Sequence, residues 1–161
     1  MKKILKIETL DENVQVPFYA HKEDAGMDIR ANEDVVLNPG ETKIIKTGFK
    51  LSIPIGYEVQ IRPRSGLSYN TPLIIPNSPG TIDSGYKDEI GVIMRNTSRE
   101  GNSTYSITEK GCKEGIYEIR KGDRIAQMVL NKIDKIEFEL TTNIAFEENN
   151  RGGGFGHSGV N

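Results

Sequence analysis

The sequence predicts an all-β protein, a sandwich or barrel of short strands. Two patterns carry this: apolar and polar residues alternate over short runs, and turn signals recur roughly every 8–12 residues. Helical periodicity is weak, and 17 Gly and 7 Pro stand among 161 residues, more punctuation than long helices tolerate. That length suits one domain, with a lean core because only 35% of residues are hydrophobic.

In chain order, Lys3 to Glu8 alternates and suits a strand. Val14 to Tyr19 is a second extended run, and Pro17 assigns it to an edge. In Ala25-Gly-Met-Asp-Ile-Arg-Ala31, Asp28 points away from the face that Met27 and Ile29 share. Val35 to Leu37 is a strand, and Asn38-Pro-Gly-Glu41 a turn. Thr42 to Thr47, Lys50 to Ile53 and Tyr57 to Ile61 continue the pattern.

Arg62-Pro-Arg-Ser-Gly-Leu-Ser68 breaks it, and Ser65 to Tyr69 predicts one helical turn. Its first amides, Arg64 and the Ser65 hydroxyl suit a small anion site. A capped turn with a solvated arginine explains the string equally well. Pro76 to Val92 predicts a β-hairpin: Thr81 to Asp83 out, Ser84-Gly85 turning, Ile90 to Met94 back. The hairpin mouth offers main-chain groups to a flat ligand. Asp83 near the Tyr86 ring suits activation of a water beside a bound ring. A solvated turn Asp beside a half-buried Tyr is the plainer alternative.

Arg99 to Gly115 is polar and aperiodic, an extended loop or small β excursion. Ile116 to Arg120 and Arg124 to Ile133 read as strands joined by a Lys121-Gly-Asp123 turn, and Ile136 to Leu140 as a last strand. Gln127 interrupts an apolar run, so it is satisfied by the core or faces a ligand. From Phe146 onward the composition is polar and Gly-rich, too poor in apolar residues to pack alone. Residues 1–145 therefore read as the β domain and 146–161 as a flexible arm. Three consecutive Gly can wrap phosphate oxygens, Arg151 adds a bidentate cation, and Phe155 offers a stacking face.

A net charge of −2 argues against general nucleic-acid binding. One cysteine, Cys112, permits no internal disulfide and fits a reducing compartment. No apolar run approaches membrane-spanning length, and Met1-Lys-Lys lacks a following signal core. The expectation is a cytoplasmic protein.

Five strings in order complete the pattern: Ala25-Gly-Met-Asp-Ile-Arg-Ala31, Pro63-Arg-Ser-Gly-Leu-Ser68, Gly80-Thr-Ile-Asp-Ser-Gly-Tyr86, Lys121-Gly-Asp-Arg-Ile-Ala-Gln-Met-Val129 and Arg151-Gly-Gly-Gly-Phe-Gly-His-Ser-Gly159. Together they resemble the motifs of the homotrimeric dUTPases. The resemblance implies a distorted jelly-roll with one short helical turn, assembled as a trimer with active sites shared between chains. It implies hydrolysis of dUTP to dUMP and pyrophosphate, which limits uracil in DNA and supplies dUMP for dTTP synthesis. Asp83 then looks like the general base for water attack at the α-phosphorus. Tyr86 looks like the residue beneath deoxyribose that excludes a 2′-hydroxyl. Asn77 and the hairpin residues Thr81, Ile82 and Gly91 belong to the substrate-binding set that reads the uracil edge. Arg64, Ser65, Gly66 and Gln127 look like phosphate binders. Arg151, Gly153, Gly154, Gly156 and Ser158 would close over the terminal phosphate, with Phe155 stacked on uracil. Asp28 would support the phosphate network indirectly. Mg²⁺ is implied, held through the triphosphate and waters with no protein metal ligand.

Three departures stand out: Gly85 where an acidic residue is common, His157-Ser158 in place of Ser-Thr, and a longer 99–115 segment. That segment carries none of the five motifs, so it reads as dispensable for chemistry or as a surface for a protein partner. His21 reads as a surface residue. Two other functions compete: a dCTP deaminase, which shares the fold, and a nucleotide-responsive regulatory protein.

Overall fold

The computed structural model describes residues 3–142 and Ile144. Its strands are β1 (Lys6–Thr9), β2 (Met27–Arg30), β3 (Val35–Leu37), β4 (Thr42–Lys46), β5 (Phe49–Ser52), β6 (Tyr57–Arg62), β7 (Leu73–Ile74), β8 (Gly80–Ile82), β9 (Gly91–Asn96), β10 (Thr104–Ser106), β11 (Ile116–Ile119) and β12 (Arg124–Lys132). One helix, α1 (Ser65–Asn70), lies between β6 and β7. The expected all-β class, a distorted jelly-roll with a single helical turn, is what the chain adopts.

The strands form four small sheets, ordered β1-β5, β10-β11-β3, β2-β12-β6-β8 and β4-β9-β7. Their inward residues make one core, with Ile29, Val59, Ile125 and Ala126 from the third sheet and Ile45, Val92 and Met94 from the fourth, all fully buried or nearly so. Alternation along each strand puts the intervening polar residues outside. Polar clasps stitch this lean core. The buried Asn96 amide donates to the Leu37 carbonyl at 3.0 Å and the Gly115 carbonyl at 2.8 Å. The Thr47 hydroxyl donates to the Ile90 carbonyl at 2.6 Å. Each such bond contributes about 1 kcal/mol net, and leaving its partner unsatisfied costs more.

α1 is short for a local reason. Pro72 disfavours helical backbone at Thr71, which is extended at φ −140° and ψ 158°. Leu67 is the side chain the helix buries. The Leu67 carbonyl is taken locally: the Thr71 amide and hydroxyl both donate to it, at 3.0 and 2.8 Å.

The structure corrects three expected elements. The 76–92 hairpin does not form as one ladder. β8 pairs antiparallel with β6, whereas β9 pairs with β4 and β7 in another sheet. The apolar residues of the two strands fill different faces of the core, so the connection carries the chain between sheets. Val14 to Tyr19 forms no strand and pairs with none among the described residues, with Val16, Phe18 and Tyr19 exposed. Ile136 to Leu140 is likewise no strand. Ile136, Phe138 and Leu140 are 79%, 85% and 99% exposed, because no strand among the described residues pairs with them.

Candidate active site

The site is organised by the β2-β12-β6-β8 sheet. Asp28, Gln127 and Arg62 stand opposite one another across β2, β12 and β6. Residues in register share a face, so their side chains lie outside while Ile29, Ala126 and Ile61 go to the core. Past Arg62 the chain turns through Pro63 into α1, which brings Arg64 back over Asp28.

The contacts there are direct. Arg64 Nε donates to Asp28 Oδ1 at 2.7 Å, and Arg64 Nη1 to the Arg124 carbonyl at 3.3 Å. Arg124 Nη1 donates to Asp28 Oδ2 at 3.2 Å. One carboxylate therefore holds two guanidinium groups, each oxygen taking one. Gln127 Nε2 donates to the Pro63 carbonyl at 2.8 Å, tying β12 to the loop before α1. Gln127, read from the sequence as satisfied by the core or facing a ligand, is half-buried and bonded to the protein, in register with Asp28. Ser65 and Gly66 are exposed beside Arg64. A Cβ at Gly26 would stand 2.7 Å from Gln127 Oε1, so a side chain there would displace the Gln127 amide.

Arg124 has a pairing irregularity to thank for its place. The register between β12 and β2 shifts between Arg124 and Ala126. Strict alternation from Gln127 would turn Ile125 outward and Arg124 into the core. The extra residue lets Ile125 and Ala126 both bury fully and returns Arg124 to the face of Asp28, the re-aiming that β-bulges provide. Sequence reading missed this residue. Its signal was the adjacent apolar pair Ile125-Ala126, which breaks the period of two.

Asp83 follows β8 at the other margin of the sheet. It is exposed, and its side chain takes part in no ion pair among the described residues. Its carbonyl accepts from the Tyr86 amide at 3.1 Å, closing a turn. The Tyr86 hydroxyl donates to the Glu89 carbonyl at 2.9 Å, which fixes the ring while leaving it 41% exposed. Lys87 Nζ donates to the Ser84 carbonyl at 2.6 Å. Asn77 and Thr81 are exposed, Ile82 is half-buried and Gly80 buried. Gly91 lies on β9 opposite Lys46. A Cβ there would meet Ile44 Cγ2 at 2.6 Å, so the exposed Ile44 side chain would have to shift.

One chain does not bring these two groups together. Ile82 is paired with Val59, whereas the Asp28–Gln127 row meets β6 at Arg62. Three residues separate those rows, about 10 Å along the strand, and three strand spacings separate β8 from β2, about 14 Å across. Arg151, Gly153, Gly154, Phe155, Gly156 and Ser158 lie outside the described residues.

The sheet thus presents an arginine pair and a serine-glycine turn at one margin, with Asp83 and Tyr86 at the other. The comparisons sharpen this. The dUTPase family profile matches residues 12–159, and the chain belongs to that family. It is 42% identical to the deoxyuridine 5'-triphosphate nucleotidohydrolase of Solibacter usitatus over 158 residues, covering 96% of this chain and 95% of the relative. It is 40% identical to that of Clostridium tetani over 156 residues, with 96% of each covered. Among solved structures, a mutant dUTPase of Staphylococcus bacteriophage 80alpha, bound to dUpNHpp, superposes with a TM-score of 0.86 at 34% identity, covering 99% of this chain and all of that one. A mutant dUTPase from phage phi11 of S. aureus, which coordinates a structural Mg(II) ion, gives 0.79 at 35% identity, covering 88% of this chain and 98% of that one.

Proposed function

We propose that the protein hydrolyses dUTP to dUMP and pyrophosphate at sites assembled from more than one subunit, with Asp83 as general base. Family membership supports the activity, and the separation of Asp83 from the Arg64–Asp28–Arg124 cluster carries the shared site. A base must lie within hydrogen-bond reach of its water, directly or through one more. Since one chain holds Asp83 far from its own phosphate-side cations, a neighbour's Asp83 completes each site.

A homotrimer accounts for surfaces the single chain leaves open. An apolar cavity of about 650 Å³ is lined by Leu5, Ile7, Val16, Met27, Leu51 and Leu130, among others. The side chains of Ile136, Phe138 and Leu140 stand in solvent. Apolar surface of this kind marks contact regions. The arm from residue 146 closes over the nucleotide, with Arg151 and the glycines at the terminal phosphate and Phe155 on the base.

Within a site, Arg64, Ser65, Gly66 and Gln127 bind phosphate oxygens, and Asp28 orients Arg64. Asn77 and the main chain of Thr81, Ile82 and Gly91 read the uracil edge. Tyr86, its hydroxyl already engaged, presents a fixed ring against the sugar. Mg²⁺ supplies charge neutralisation on the triphosphate. Among the described residues no group of three or more His, Cys, Asp or Glu side chains converges, and Asp28 is already paired twice. On this reading the ion would be carried by phosphate oxygens and water. Among the described residues no helix is long and apolar enough to cross a membrane, and a cytoplasmic location fits a nucleotide substrate.

The test is pyrophosphate release measured across dUTP, UTP, dCTP and dTTP. The wild type is expected to act on dUTP almost alone, and Tyr86→Ala to narrow the gap between dUTP and UTP in kcat/KM. Ammonia release from dCTP would instead identify a deaminase, and an unchanged dUTP/UTP ratio would remove Tyr86 from sugar selection.

A further inference from the structure

The 99–115 segment is not a loose insertion. β10 pairs parallel with β11, and Ile107 is buried in the core. Gly115 N donates to Ser98 Oγ at 3.1 Å, and the Arg99 amide to Glu114 Oε2 at 2.7 Å. Its far end reaches α1, where the Cys112 amide donates to the Asn70 carbonyl at 2.8 Å. That carbonyl is one of those a helix C-terminus leaves without a partner. Cys112 makes this contact at φ 46°, a left-handed conformation costly for a residue with a side chain. The surrounding structure thus holds the excursion against the helix that carries Arg64 and Gly66.

Between the two lies a cavity of about 430 Å³. Arg64, Gly66 and Arg124 line one side, and Thr108, Glu109 and Lys110 the other, with Arg30 and Asp123 at its margin. Its acids are committed elsewhere. Glu109 accepts from the Ser106 amide at 3.1 Å and from Lys113 at 3.2 Å, which hold its carboxyl below the ordinary range. Asp123 accepts from the Arg120 amide at 2.9 Å. Arg30 donates to the Gly122 carbonyl. Lys110 is exposed and, among the described residues, takes part in no ion pair. Against Glu109 and Asp123 the lining sets Arg30, Arg64, Lys110 and Arg124, so the pocket is net basic even with Asp28 holding Arg64 and Arg124.

We propose that Lys110, from the excursion, is a further ligand for the polyphosphate anion held at Arg64 and Gly66. The inference rests on the reading of Arg64 and Gly66 as phosphate binders. The anion is either the phosphate tail of the nucleotide or the pyrophosphate it releases. It also makes the excursion part of the substrate site, contrary to the expectation that it is dispensable for chemistry.

The experiment uses the full chain with Mg²⁺ and two probes, inorganic pyrophosphate and dUTP. Pyrophosphate binding is read by calorimetry, and KM and kcat for dUTP by pyrophosphate release. Lys110→Ala is expected to weaken pyrophosphate binding about 5-fold and Lys110→Glu about 20-fold or more, with Lys110→Arg near wild type, as for loss or reversal of one charge-assisted contact. Lys110 is exposed, so the variants fold. A parallel rise in KM assigns the pocket to the nucleotide tail, and an unchanged KM assigns it to the product. Pyrophosphate affinity within 2-fold of wild type in Lys110→Glu overturns the proposal. A wild type that does not hydrolyse dUTP overturns the functional reading instead, which pyrophosphate binding alone would not do.

Discussion

An Asp83→Asn variant is expected to turn dUTP over at least ~10²-fold more slowly while still binding it, the range for losing a positioned general base. The argument is chemical and geometric. Asn keeps the size and an acceptor oxygen but cannot take a proton. Asp83 is exposed, so the change leaves the core untouched. The turn from Asp83 to Tyr86 is closed by main-chain atoms, and Tyr86 is held through Glu89, so neither depends on the carboxylate. The loss should therefore fall on kcat, with nucleotide affinity nearly preserved. Turnover within a few-fold of wild type would remove Asp83 from the role.

Arg64→Ala is the second large effect, an expected fall of about 10²–10³ in kcat/KM, the range for removing one preorganised donor to developing charge. Arg64 is held before any ligand arrives. Its Nε is on Asp28, with Nη1 on the Arg124 carbonyl, leaving the rest of the guanidinium for phosphate. Arg64→Lys should rescue little, because a lysine ammonium lacks the planar fork that serves a carboxylate and a phosphate together. Asp28 keeps Arg124 in either variant, so the fold should survive, which thermal unfolding would check. A lysine variant as active as wild type would show that charge alone is needed.

Much of this fold was legible from residue order, and the failures have physical causes. β3, β4 and β6 alternate and are flanked by turn residues, so local pattern and tertiary structure agree. α1 was legible from the break in strand rhythm at Arg62 to Ser68. The hairpin failed because β8 and β9 satisfy every local hairpin cue, yet their partners come from β6 and from β4 and β7. Alternation reports a strand and a buried face, not which strand lies beside it. Ile136 to Leu140 failed for the related reason that a strand needs a partner, and the described residues supply none. In the site, Asp28, Arg64 and Gln127 were legible because they interrupt apolar patterns or sit in a Gly-containing turn. Arg124 was not, because only the register shift at Ile125 brings it to Asp28. Lys110 was invisible for another reason: its place depends on a distant contact between Cys112 and Asn70.

The claim that each site draws Asp83 and the closing arm from different subunits has a direct measurement. Asp83→Asn protein is mixed in equal amounts with a chain truncated after Ala145, and the two are unfolded and refolded together. Each protein alone is expected to be nearly inactive. In randomly assembled closed rings, about a quarter of sites would then combine an intact Asp83 from one chain with an intact arm from another. Recovery of activity near a quarter of wild type, with mixed rings confirmed by mass, is the predicted result. Mixed rings that remain inactive would mean that Asp83 and the arm serve a site within one chain, and would contradict the account.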